Sequence, residues 1–373
     1  MAECSLIKRG AQGPLFRTAG RFLSPAKQNL NMNPPSLPGT RSSTPSERFS
    51  EAMKLVPELS SVEEIIQASF KSDVTPMREI PNYLLSLGGK RIRPVLTLLC
   101  AKALGAKDIS RKLLDVSAGI ELIHMATLMH DDIIDQSPIR RHKQSPYSKF
   151  GTPLTLLSGD FLLTRAFGLC ARLDEVAIAA TEQACIELVE GEALETPLHT
   201  ELHSLETSLT IARRKTASLF RLAAFCAAHL TGTSDLTASK FSDFGENLGI
   251  AFQIIDDVLD VTSTEAVLGK QPGLDIIERK PSIVNVLWLA SGEPEAKRLL
   301  EAPVAGGEDS YAASSLERLA SSPYIAAAKE LARSYGDKAR ESLNQGLNDQ
   351  KTRSEECAEA LYSVIDFALE RLK

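Results

Sequence analysis

Apolar residues recur three and four positions apart along nearly the whole chain after Ser50, which is the spacing of one face of an α-helix. Glycine and proline collect between these segments, and the sequence lacks the alternation that marks a half-buried strand. Several segments are apolar almost all round, as the central helices of a large bundle are. The pattern predicts an all-α protein. The clearest predicted helices cover residues 61–70, 93–106, 113–135, 154–173, 176–195, 212–232 and 241–261.

The C-terminal part of the chain keeps the helical pattern but carries more charge. We therefore expect residues 308–373 on the outside of the bundle, and residues 291–310 as a surface loop or a short helix. We predict one large helical domain over residues 50–373, which is long enough to bury a sizeable core.

The first 49 residues differ in composition from the rest. They are rich in Arg, Ser, Pro and Gly, and residues 1–48 hold seven Lys and Arg against two Glu. This composition is typical of an organelle transit peptide followed by a disordered linker, which we predict over residues 1–49. An ordinary flexible N-terminus is the alternative. We expect a mitochondrial location, with the plastid as the alternative.

The remaining composition excludes several classes of protein. The chain has a formal charge of −6 in spite of its basic N-terminus, and such an acidic body disfavours a nucleic-acid-binding surface. Every apolar stretch is interrupted by a charge or a proline before it reaches the length of a membrane span. The six cysteines are scattered without a CxxC pair, which fits a reducing compartment. Acidic groups concentrated at one site would suit metal cations.

The stretch LMHDDIIDQSPIRR, residues 128–141, ends an apolar helix in a group of like charges. Asp131 and Asp135 share a helix face with Asp132 at its flank, so these carboxylates repel by roughly a few tenths of a kcal/mol per pair. The helix dipole disfavours anions in this last turn by about 0.3–1 kcal/mol. A helix end that reaches water would account for one such group, but the chain contains two.

The segment FQIIDDVLDV repeats the spacing at a second helix end. Oxygen ligands without a nearby His or Cys favour a hard cation, and Mg²⁺ bound through a few carboxylates and substrate phosphates is the expected mode. The two groups are therefore candidate metal sites. We call them the first triad (Asp131, Asp132 and Asp135) and the second triad (Asp256, Asp257 and Asp260).

Basic residues that could bind phosphate oxygens stand near both triads in the sequence. Each of them alone is compatible with a solvated loop or a lysine that reaches water from an apolar face. The sequence contains neither a P-loop nor a nucleophile elbow, which disfavours the enzyme classes that use them. The candidates are Lys90, Arg91 and Arg93 after a glycine pair, Arg140 and Arg141 after the first triad, Lys215 with Thr216 inside an apolar helix, and Lys270 and Lys280 after the second triad.

From about Tyr83 to Asn285 the chain resembles the trans-isoprenyl diphosphate synthases, the head-to-tail prenyltransferases, in their long-chain form. The likeness rests on five motifs in order: GGKRIRP, HDDIID followed by RR, EGE near Glu190, KTASLF and FQIIDDVLD. It implies a large single-domain helical bundle around a deep central cavity, usually a homodimer, with a heteromer possible. It also implies condensation of isopentenyl diphosphate onto an allylic diphosphate, with about three Mg²⁺ ions per active site.

The resemblance assigns roles by matching position. The two triads hold the metal ions, and Asp131, Asp132, Asp135, Lys215, Asp256 and Asp257 form the catalytic set. Ionisation of the allylic diphosphate would give a carbocation that isopentenyl diphosphate attacks, and the released diphosphate would take the proton. The isopentenyl diphosphate would bind to Lys90, Arg93, His124 and Arg141. The allylic diphosphate would bind to Arg140, Lys215, Thr216, Gln253 and Lys270.

Three positions depart from the family pattern. His142 and Arg279 stand where glycine is usual, and Glu195 stands where glutamine is expected. The metal ligands are intact, so we expect these changes to affect rate, lid closure or subunit partnership.

The residues below the first triad indicate a long product. In this family the pocket floor lies about one turn before the first aspartate, where this chain has the small residues Ala126 and Thr127, followed by Ile123 and Gly119 further down. A bulky residue that would stop elongation is missing from position 126, which favours a product of the length used for ubiquinone side chains. The alternative is that Ala126 is small for helix packing and that another helix sets the floor.

Two other functions remain open at this level. A class I terpene cyclase shares the aspartate-rich helix but needs no isopentenyl diphosphate site. A non-catalytic partner subunit of a heteromeric synthase would usually have lost aspartates from its triads. The intact triads and GGKRIRP favour the synthase.

Overall fold

Helices account for nearly all regular structure in the computed structural model, which describes residues 44–196, 204–269, 271–300, 309–348, 350 and 353–371. The predicted all-α bundle is confirmed. The first helices are α1 (Pro45–Lys54), α2 (Leu59–Ser69), α3 (Thr75–Ser86), α4 (Ile92–Ala103), α5 (Arg111–Ile134), α6 (Pro146–Phe150), α7 (Thr152–Cys170), α8 (Glu175–Glu195) and α9 (Leu205–Ile211). The others are α10 (Ser218–Leu230), α11 (Asp235–Thr262), α12 (Glu265–Leu268), α13 (Leu274–Ile277), α14 (Ile283–Ala290), α15 (Pro294–Leu300), α16 (Asp309–Ala320), α17 (Pro323–Asn348) and α18 (Glu355–Glu370).

Capping side chains fix where the long helices begin. Ser110 accepts a hydrogen bond from the backbone of α5, Asp174 does so for α8, and Ser234 does so for α11. Each cap satisfies a backbone N–H that has no partner within its helix. The helices that carry the two triads, α5 and α11, therefore have defined starts. The first triad lies in the last turn and at the C-cap of α5, and the second triad lies in the last two turns of α11.

The helix α1 begins within the segment for which the sequence predicted a linker. Thr44 and Glu47 form a reciprocal capping box with hydrogen bonds of 2.7 and 3.2 Å, and this box starts the helix at Pro45. Phe49 stacks on Phe367 of α18 at 4.6 Å between ring centroids, so α1 packs onto the end of the chain. The boundary between residues 49 and 50 is thus too late. The transit-peptide prediction for residues 1–43 lies outside the described residues.

Two adjoining apolar clusters form the core, and α11 contributes to both. Phe241, Phe244 and Leu248 belong to the first cluster, whereas Ile254 and Val258 belong to the second. The helix pairs that pack most extensively are α5 with α7, α10 with α11, and α11 with α17. Because α5 and α11 are both central, the helix ends that carry the triads lie within the bundle instead of at its outer rim.

Three features differ from the sequence prediction. A short antiparallel pair, β1 (Ile139–Arg140) and β2 (Lys143–Gln144), follows the first triad. Residues Ala212–Ala217 form a π-helical turn instead of regular α-helix. The C-terminal block is not confined to the outside, because its periodic apolar residues pack inward: α17 packs along α11, and α18 buries Leu361 and Ile365. Segment 291–310 was predicted as a surface loop or a short helix, and it contains the short helix α15.

Candidate active site

The first triad occupies the end of α5, and its three carboxylates have different surroundings. Asp132 is buried and accepts hydrogen bonds from Arg140 at 2.6 and 2.9 Å. Asp135 caps the helix and lies 3.0 Å from the Nζ of Lys280. Asp131 is half-buried and, as the spacing predicted, lies on the same face as Asp135.

The second triad ends α11, and two of its members hold the polypeptide that follows. Asp257 accepts a hydrogen bond from the backbone N–H of Ile283 at 2.7 Å, and Asp260 accepts one from the N–H of Asp275 at 3.1 Å. Asp257 and Asp260 are only 6% and 3% exposed, whereas the side chain of Asp256 is 41% exposed. Asp256 is therefore the member most available to a ligand.

Two lysines lie among the carboxylates of the site. Lys280 follows the second triad in sequence but contacts Asp135 of the first. Lys215 contacts Glu192 at 2.6 Å and also Glu195. Burial lowers the pKa of Lys215, but Glu195, Asp131 and Glu192 outweigh it and hold that pKa well above its ordinary value. Lys215 and Lys280 therefore remain ammonium ions inside an acidic site.

Glu195 acts on Asp257 of the second triad and on both lysines of the site. Burial and then Glu195 raise the pKa of Asp257, and Glu195 also raises the pKa of both Lys215 and Lys280. Lys280 in turn lies 3.0 Å from Asp135 of the first triad. The two triads therefore border the same group of charged side chains.

The π-helical turn Ala212–Ala217 places Lys215 and Thr216 in this site. A Cβ added to Gly191 of α8 would lie 2.6 Å from the backbone nitrogen of Lys215, and one added to Gly249 of α11 would lie 2.5 Å from the Cα of Ala217. Both distances are shorter than real side chains allow, so the turn fits between two helices only where these lack side chains. Single π turns of this kind are frequent at functional sites.

A chain of hydrogen bonds runs from this turn to the second triad. The Thr216 hydroxyl donates to the Gln253 side-chain carbonyl at 2.5 Å, and the Gln253 amide donates to Asp257 at 2.9 Å. Asp257 in turn accepts the N–H of Ile283. Gln253 thus orients Asp257, and this chain fixes three of the predicted residues relative to one another.

A cationic wall stands beside the triads. Arg93 lies over the ring of Phe220 at 4.9 Å, and Arg371 lies over the ring of Phe252 at 3.6 Å, and the two rings are 5.3 Å apart. Arg371 also contacts Asp256 at 2.7 Å. Burial and then Arg371 lower the pKa of Lys90, against the opposite effect of Asp256. The wall therefore faces the second triad, where Asp256 contacts Arg371 and acts on Lys90 and Arg93.

His124 and Arg141 complete the cationic wall. Burial, and then Arg93 and Arg140, hold the pKa of His124 well below its ordinary value, so its imidazole is neutral near pH 7. Burial and then Arg140 lower the pKa of Arg141. A neutral imidazole among guanidinium groups can donate a hydrogen bond to an anion without adding repulsion. Such a wall has the charge and the donors to bind a diphosphate.

Two aspartates hold protons more tightly than an exposed carboxyl does. Burial raises the pKa of Asp131 to about 7, with Lys215 opposing the shift and Glu192 adding to it. Burial also raises the pKa of Asp257 to about 7, although the Ile283 N–H and Gln253 oppose the shift. A cation at either group would displace the proton, since metal ligands bind in their ionised form.

The oxygen donors fit a divalent cation whose coordination is completed by phosphate oxygens of the substrate. Within the described ranges, no group of three His, Cys, Asp or Glu side chains lies close enough to hold a metal ion by itself. Carboxylates spaced more widely suit Mg²⁺, which keeps several waters and uses one or two carboxylates together with substrate phosphates. Asp131, Asp135 and Asp256 present the accessible oxygens for this mode.

The predicted chain-length residues lie on α5 below the first triad. Ala126 and Ile123 are fully buried in the first core cluster, and Thr127 is half-buried with its hydroxyl bonded to the His124 carbonyl at 2.8 Å. Further down, a Cβ on Gly119 would lie 2.9 Å from the sulfur of Cys170. The helices α5 and α7 are thus in close contact at Gly119, which is twelve residues, or about 18 Å, from Asp131.

Lys280, a phosphate-binding candidate from the sequence, contacts Asp135. Three further residues of the site were not predicted as ligands: Glu192, Glu195 and Arg371 contact the predicted residues. The EGE motif and the acidic helix end around Glu195 were the available signals for the first two, whereas Arg371 gave none. Arg91, by contrast, is bound to Glu63 and Glu121 at 2.5 and 3.2 Å and has a structural role. Lys270 lies outside the described residues.

The chain is similar to proteins of one family in sequence and in structure. Residues 74–320 match the polyprenyl synthetase family. The octaprenyl diphosphate synthase of Escherichia coli K12 is 34% identical over 67% of this chain and 77% of its own length. The geranylgeranyl diphosphate synthase of Sulfolobus acidocaldarius is 33% identical over 84% of this chain and 97% of its own length.

A solved structure agrees with these relatives. The polyprenyl synthase of Caulobacter crescentus CB15, complexed with calcium and isoprenyl diphosphate, superimposes with a TM-score of 0.78 at 30% identity, over 87% of this chain and 98% of that chain. An all-α bundle that joins two aspartate triads to a cationic wall is thus the arrangement of a prenyl-transferring synthase. The chain belongs to the polyprenyl synthetase family, and it is a prenyltransferase that makes a polyprenyl diphosphate.

Proposed function

We propose that this protein condenses isopentenyl diphosphate head-to-tail onto an allylic diphosphate and makes a long-chain all-trans product. The observation that supports the reaction best is the position of Lys215 and Lys280, which both remain charged among the carboxylates of the site. Lys215 contacts Glu192 with Asp131 in electrostatic range, and Lys280 contacts Asp135. A diphosphate with its metal ions brings cations to the aspartates and anionic oxygens to the lysines. Both sets of charges are then balanced at once.

We propose Mg²⁺ as the metal, held by Asp131 and Asp135 of the first triad and Asp256 of the second. Bound divalent ions would stabilise the charge of the departing diphosphate. Calcium accompanies isoprenyl diphosphate in the Caulobacter structure, which supports a divalent cation here. Asp132, Asp257 and Asp260 orient Arg140 and the backbone of Ile283 and Asp275.

The residues of the chain would divide the two substrates between them. Lys215 and Arg140 lie beside the first triad and, together with Thr216, would bind the allylic diphosphate, whose C–O bond breaks. Lys90, Arg93, His124 and Arg141 form the cationic wall and would bind isopentenyl diphosphate, with neutral His124 as a hydrogen-bond donor. The double bond of isopentenyl diphosphate would attack the allylic carbon, and its proton would leave to the released diphosphate.

A long product fits the small side chains beneath the first triad. Ala126 and Thr127 leave the space below Asp131 free of a bulky side chain of their own. We propose a product in the range of ubiquinone side chains, made in the mitochondrion, which the basic, acid-poor composition of residues 1–49 supports. Import of a fluorescent protein fused behind these residues into mitochondria, and not into plastids or the cytosol, tests the location.

A homodimer would cover apolar side chains on α7 and α8. Phe167 is 47% exposed and Val189 is 66% exposed, and Leu156, Leu157 and Ile186 on the same helices are also exposed. Contiguous apolar surface of this kind marks interaction sites. Light scattering should give twice the chain mass for the wild type and the chain mass for a Phe167→Glu, Val189→Glu variant.

Within the described residues, none of the helices is long and apolar enough to cross a bilayer.

The purified protein alone tests the reaction. With Mg²⁺, farnesyl diphosphate and radiolabelled isopentenyl diphosphate, elongated polyprenyl diphosphates support the synthase, cyclic hydrocarbons a class I terpene cyclase, and absence of turnover a non-catalytic partner subunit. Asp131→Ala with Asp256→Ala should abolish turnover. Asp73→Asn, an exposed aspartate between α2 and α3, is the matched control and should keep wild-type activity.

A further inference from the structure

Arg279 holds a backbone conformation that side chains rarely adopt. Its φ is +56°, in the left-handed region, and it is one of the positions where the family pattern has glycine. Glycine adopts this conformation without strain, whereas a side chain raises its free energy. An arginine that is only 7% exposed at such a position needs a compensating interaction.

The compensating contact lies at the end of α15. The Nε of Arg279 donates a hydrogen bond to the carbonyl of Leu299 at 2.9 Å, in the last turn of that helix. Carbonyls at a helix C-terminus lack partners within the helix and carry partial negative charge, so a guanidinium is well suited to them. Leu299 and Leu300 are buried in the second core cluster, which makes α15 a firm anchor.

The backbone around Arg279 joins the two triads. We call residues 273–283 the strap. The strap is held at Asp275 by Asp260 and at Ile283 by Asp257, and both of these aspartates belong to the second triad. Between these points Lys280, the residue after Arg279, crosses to Asp135 of the first triad at 3.0 Å.

Consecutive residues of the strap thus face two different parts of the protein. Arg279 extends to α15, and Lys280 extends into the active site. The aspartate contacts fix the two ends of the strap but not the residue between them that carries the lysine. The N–H of Lys280 donates to the carbonyl of Asp275, and the carbonyl of Lys280 accepts from the amide of Asn285, each at 2.9 Å, but these contacts lie within the strap or next to it. The hydrogen bond from Arg279 to Leu299 ties this middle part to α15.

We propose that Arg279 is a positioning residue that clamps the strap onto α15 and so holds Lys280 against Asp135, where it completes the site for the metal-bound allylic diphosphate. This inference rests on the proposed function. It goes beyond that function because it gives a role to a residue that replaces the usual glycine. Arg279 touches neither substrate nor metal in this proposal and acts through Lys280.

The test compares Arg279→Gly, Arg279→Lys and, as a control, Lys297→Ala on the exposed face of α15. Glycine relieves the strained backbone, so the fold should persist while the clamp is lost. We expect the KM for the allylic diphosphate to rise about tenfold in Arg279→Gly, as for the loss of one charged hydrogen bond. The KM for isopentenyl diphosphate should not change. Arg279→Lys should restore part of the loss, and Lys297→Ala should match the wild type.

Hydrogen–deuterium exchange gives a readout that needs no turnover. In the substrate-free protein, amides of residues 276–280 should exchange faster in Arg279→Gly than in the wild type, with no change in α5 or α10. Unchanged exchange in the strap, or a wild-type KM for the allylic diphosphate, would overturn the proposal. Failure of the wild type to make polyprenyl products would count against the proposed function instead, and the exchange experiment would still decide the role of Arg279.

Discussion

The guanidinium of Arg371, in the last residues of the chain, lies 2.7 Å from the carboxylate of Asp256. The same guanidinium stacks on Phe252 and donates to the carbonyl of that residue at 3.0 Å. The C-terminal helix α18 therefore delivers a cation to the most exposed aspartate of the second triad. A metal ion at Asp256 would compete with this contact. The guanidinium of Arg371, which belongs to the cationic wall and acts on Lys90, would then be available to a phosphate.

Arg371→Ala should weaken binding of isopentenyl diphosphate. Loss of one guanidinium–phosphate contact should raise the KM for this substrate about tenfold while kcat changes less, because the reacting carbons are elsewhere. Steady-state kinetics with isopentenyl diphosphate as the varied substrate measures the effect. Arg353→Ala removes an exposed ion pair with Glu355 and is the control. A larger effect on the KM for the allylic diphosphate would place Arg371 with the other substrate.

The two kinds of aspartate in the second triad should separate activity from stability. Asp256→Ala removes an exposed carboxylate, so turnover should fall by about 10²–10³ while the free energy of unfolding changes by less than about 1 kcal/mol. Asp260→Ala leaves the N–H of Asp275 without its acceptor and should lower the free energy of unfolding by about 1–3 kcal/mol. Urea unfolding and single-turnover rates on the same preparations measure both quantities. Equal losses of stability in the two variants would contradict this division.

Gly249→Ala should disrupt the π-helical turn. A Cβ there would lie 2.5 Å from the Cα of Ala217, so α11 or the turn must move, and Lys215 and Thr216 must move with the turn. We expect turnover to fall by at least about tenfold and stability by about 1–3 kcal/mol, as for overpacking. Gly168→Ala is the matched control, because a Cβ at that helical position meets nothing within 4 Å and should stabilise α7 slightly. Wild-type kinetics in Gly249→Ala would show that the turn does not need the close approach.

These residues show which parts of the site could be predicted from the sequence. Each triad lies within one helix, so the helical period alone was enough to put Asp131 and Asp135 on one face. The partners of Asp257 and Asp260 come from the strap, after a turn that no periodic pattern describes. Arg371 depends on how α18 packs, which is a tertiary property. The sequence therefore predicted the arrangement of the aspartates within each triad better than the groups that orient them.

The fold shows the same division. The long helices were predicted because their apolar faces are continuous, and their ends follow from Ser and Asp caps. The π-helical turn was not predicted, because ARRKTA has an ordinary helical pattern and the shift depends on contact with Gly191 and Gly249. The C-terminal block was predicted on the outside because of its high total charge, which combines the polar and the apolar faces of α17 and α18. Each of these helices has one apolar face, and that face is buried.

The metal-free protein should lose stability as the pH rises from about 4 to about 7. Burial raises the pKa of Asp131 and Asp257 to about 7, so the folded state holds protons that the unfolded state releases near pH 4. Their contribution to stability is full below the unfolded pKa and is lost as the pH rises through the folded pKa. Mg²⁺ held by Asp131 would replace the proton of that carboxyl, so its stabilising effect should be larger at pH 8 than at pH 6.

Thermal unfolding with EDTA and with Mg²⁺ across this pH range measures both effects. Asp257→Asn cannot titrate, so its stability in EDTA should depend less on pH than that of the wild type. Removal of the metal by EDTA should also abolish turnover at every pH, and added Mg²⁺ should restore it. A stability difference between the metal-free wild type and Asp257→Asn that stays constant from pH 5 to pH 7 would contradict the raised pKa of Asp257.

Ala126→Phe tests whether α5 forms the floor of the product pocket. Ala126 lies below Asp131 and is fully buried, so a phenyl ring there must enter the space below the first triad or displace core side chains. If that space holds the growing chain, the product should shorten by several isoprene units while the first condensation continues at a similar rate. Overpacking should cost about 1–3 kcal/mol of stability, which thermal unfolding monitors.

Ala171→Phe, at an exposed position after α7, is the size-matched control and should leave product length unchanged. Chromatographic sizing of the dephosphorylated products gives the answer: an unchanged length in Ala126→Phe would assign the floor to another helix, with the contact between Gly119 and Cys170 as the next position to test.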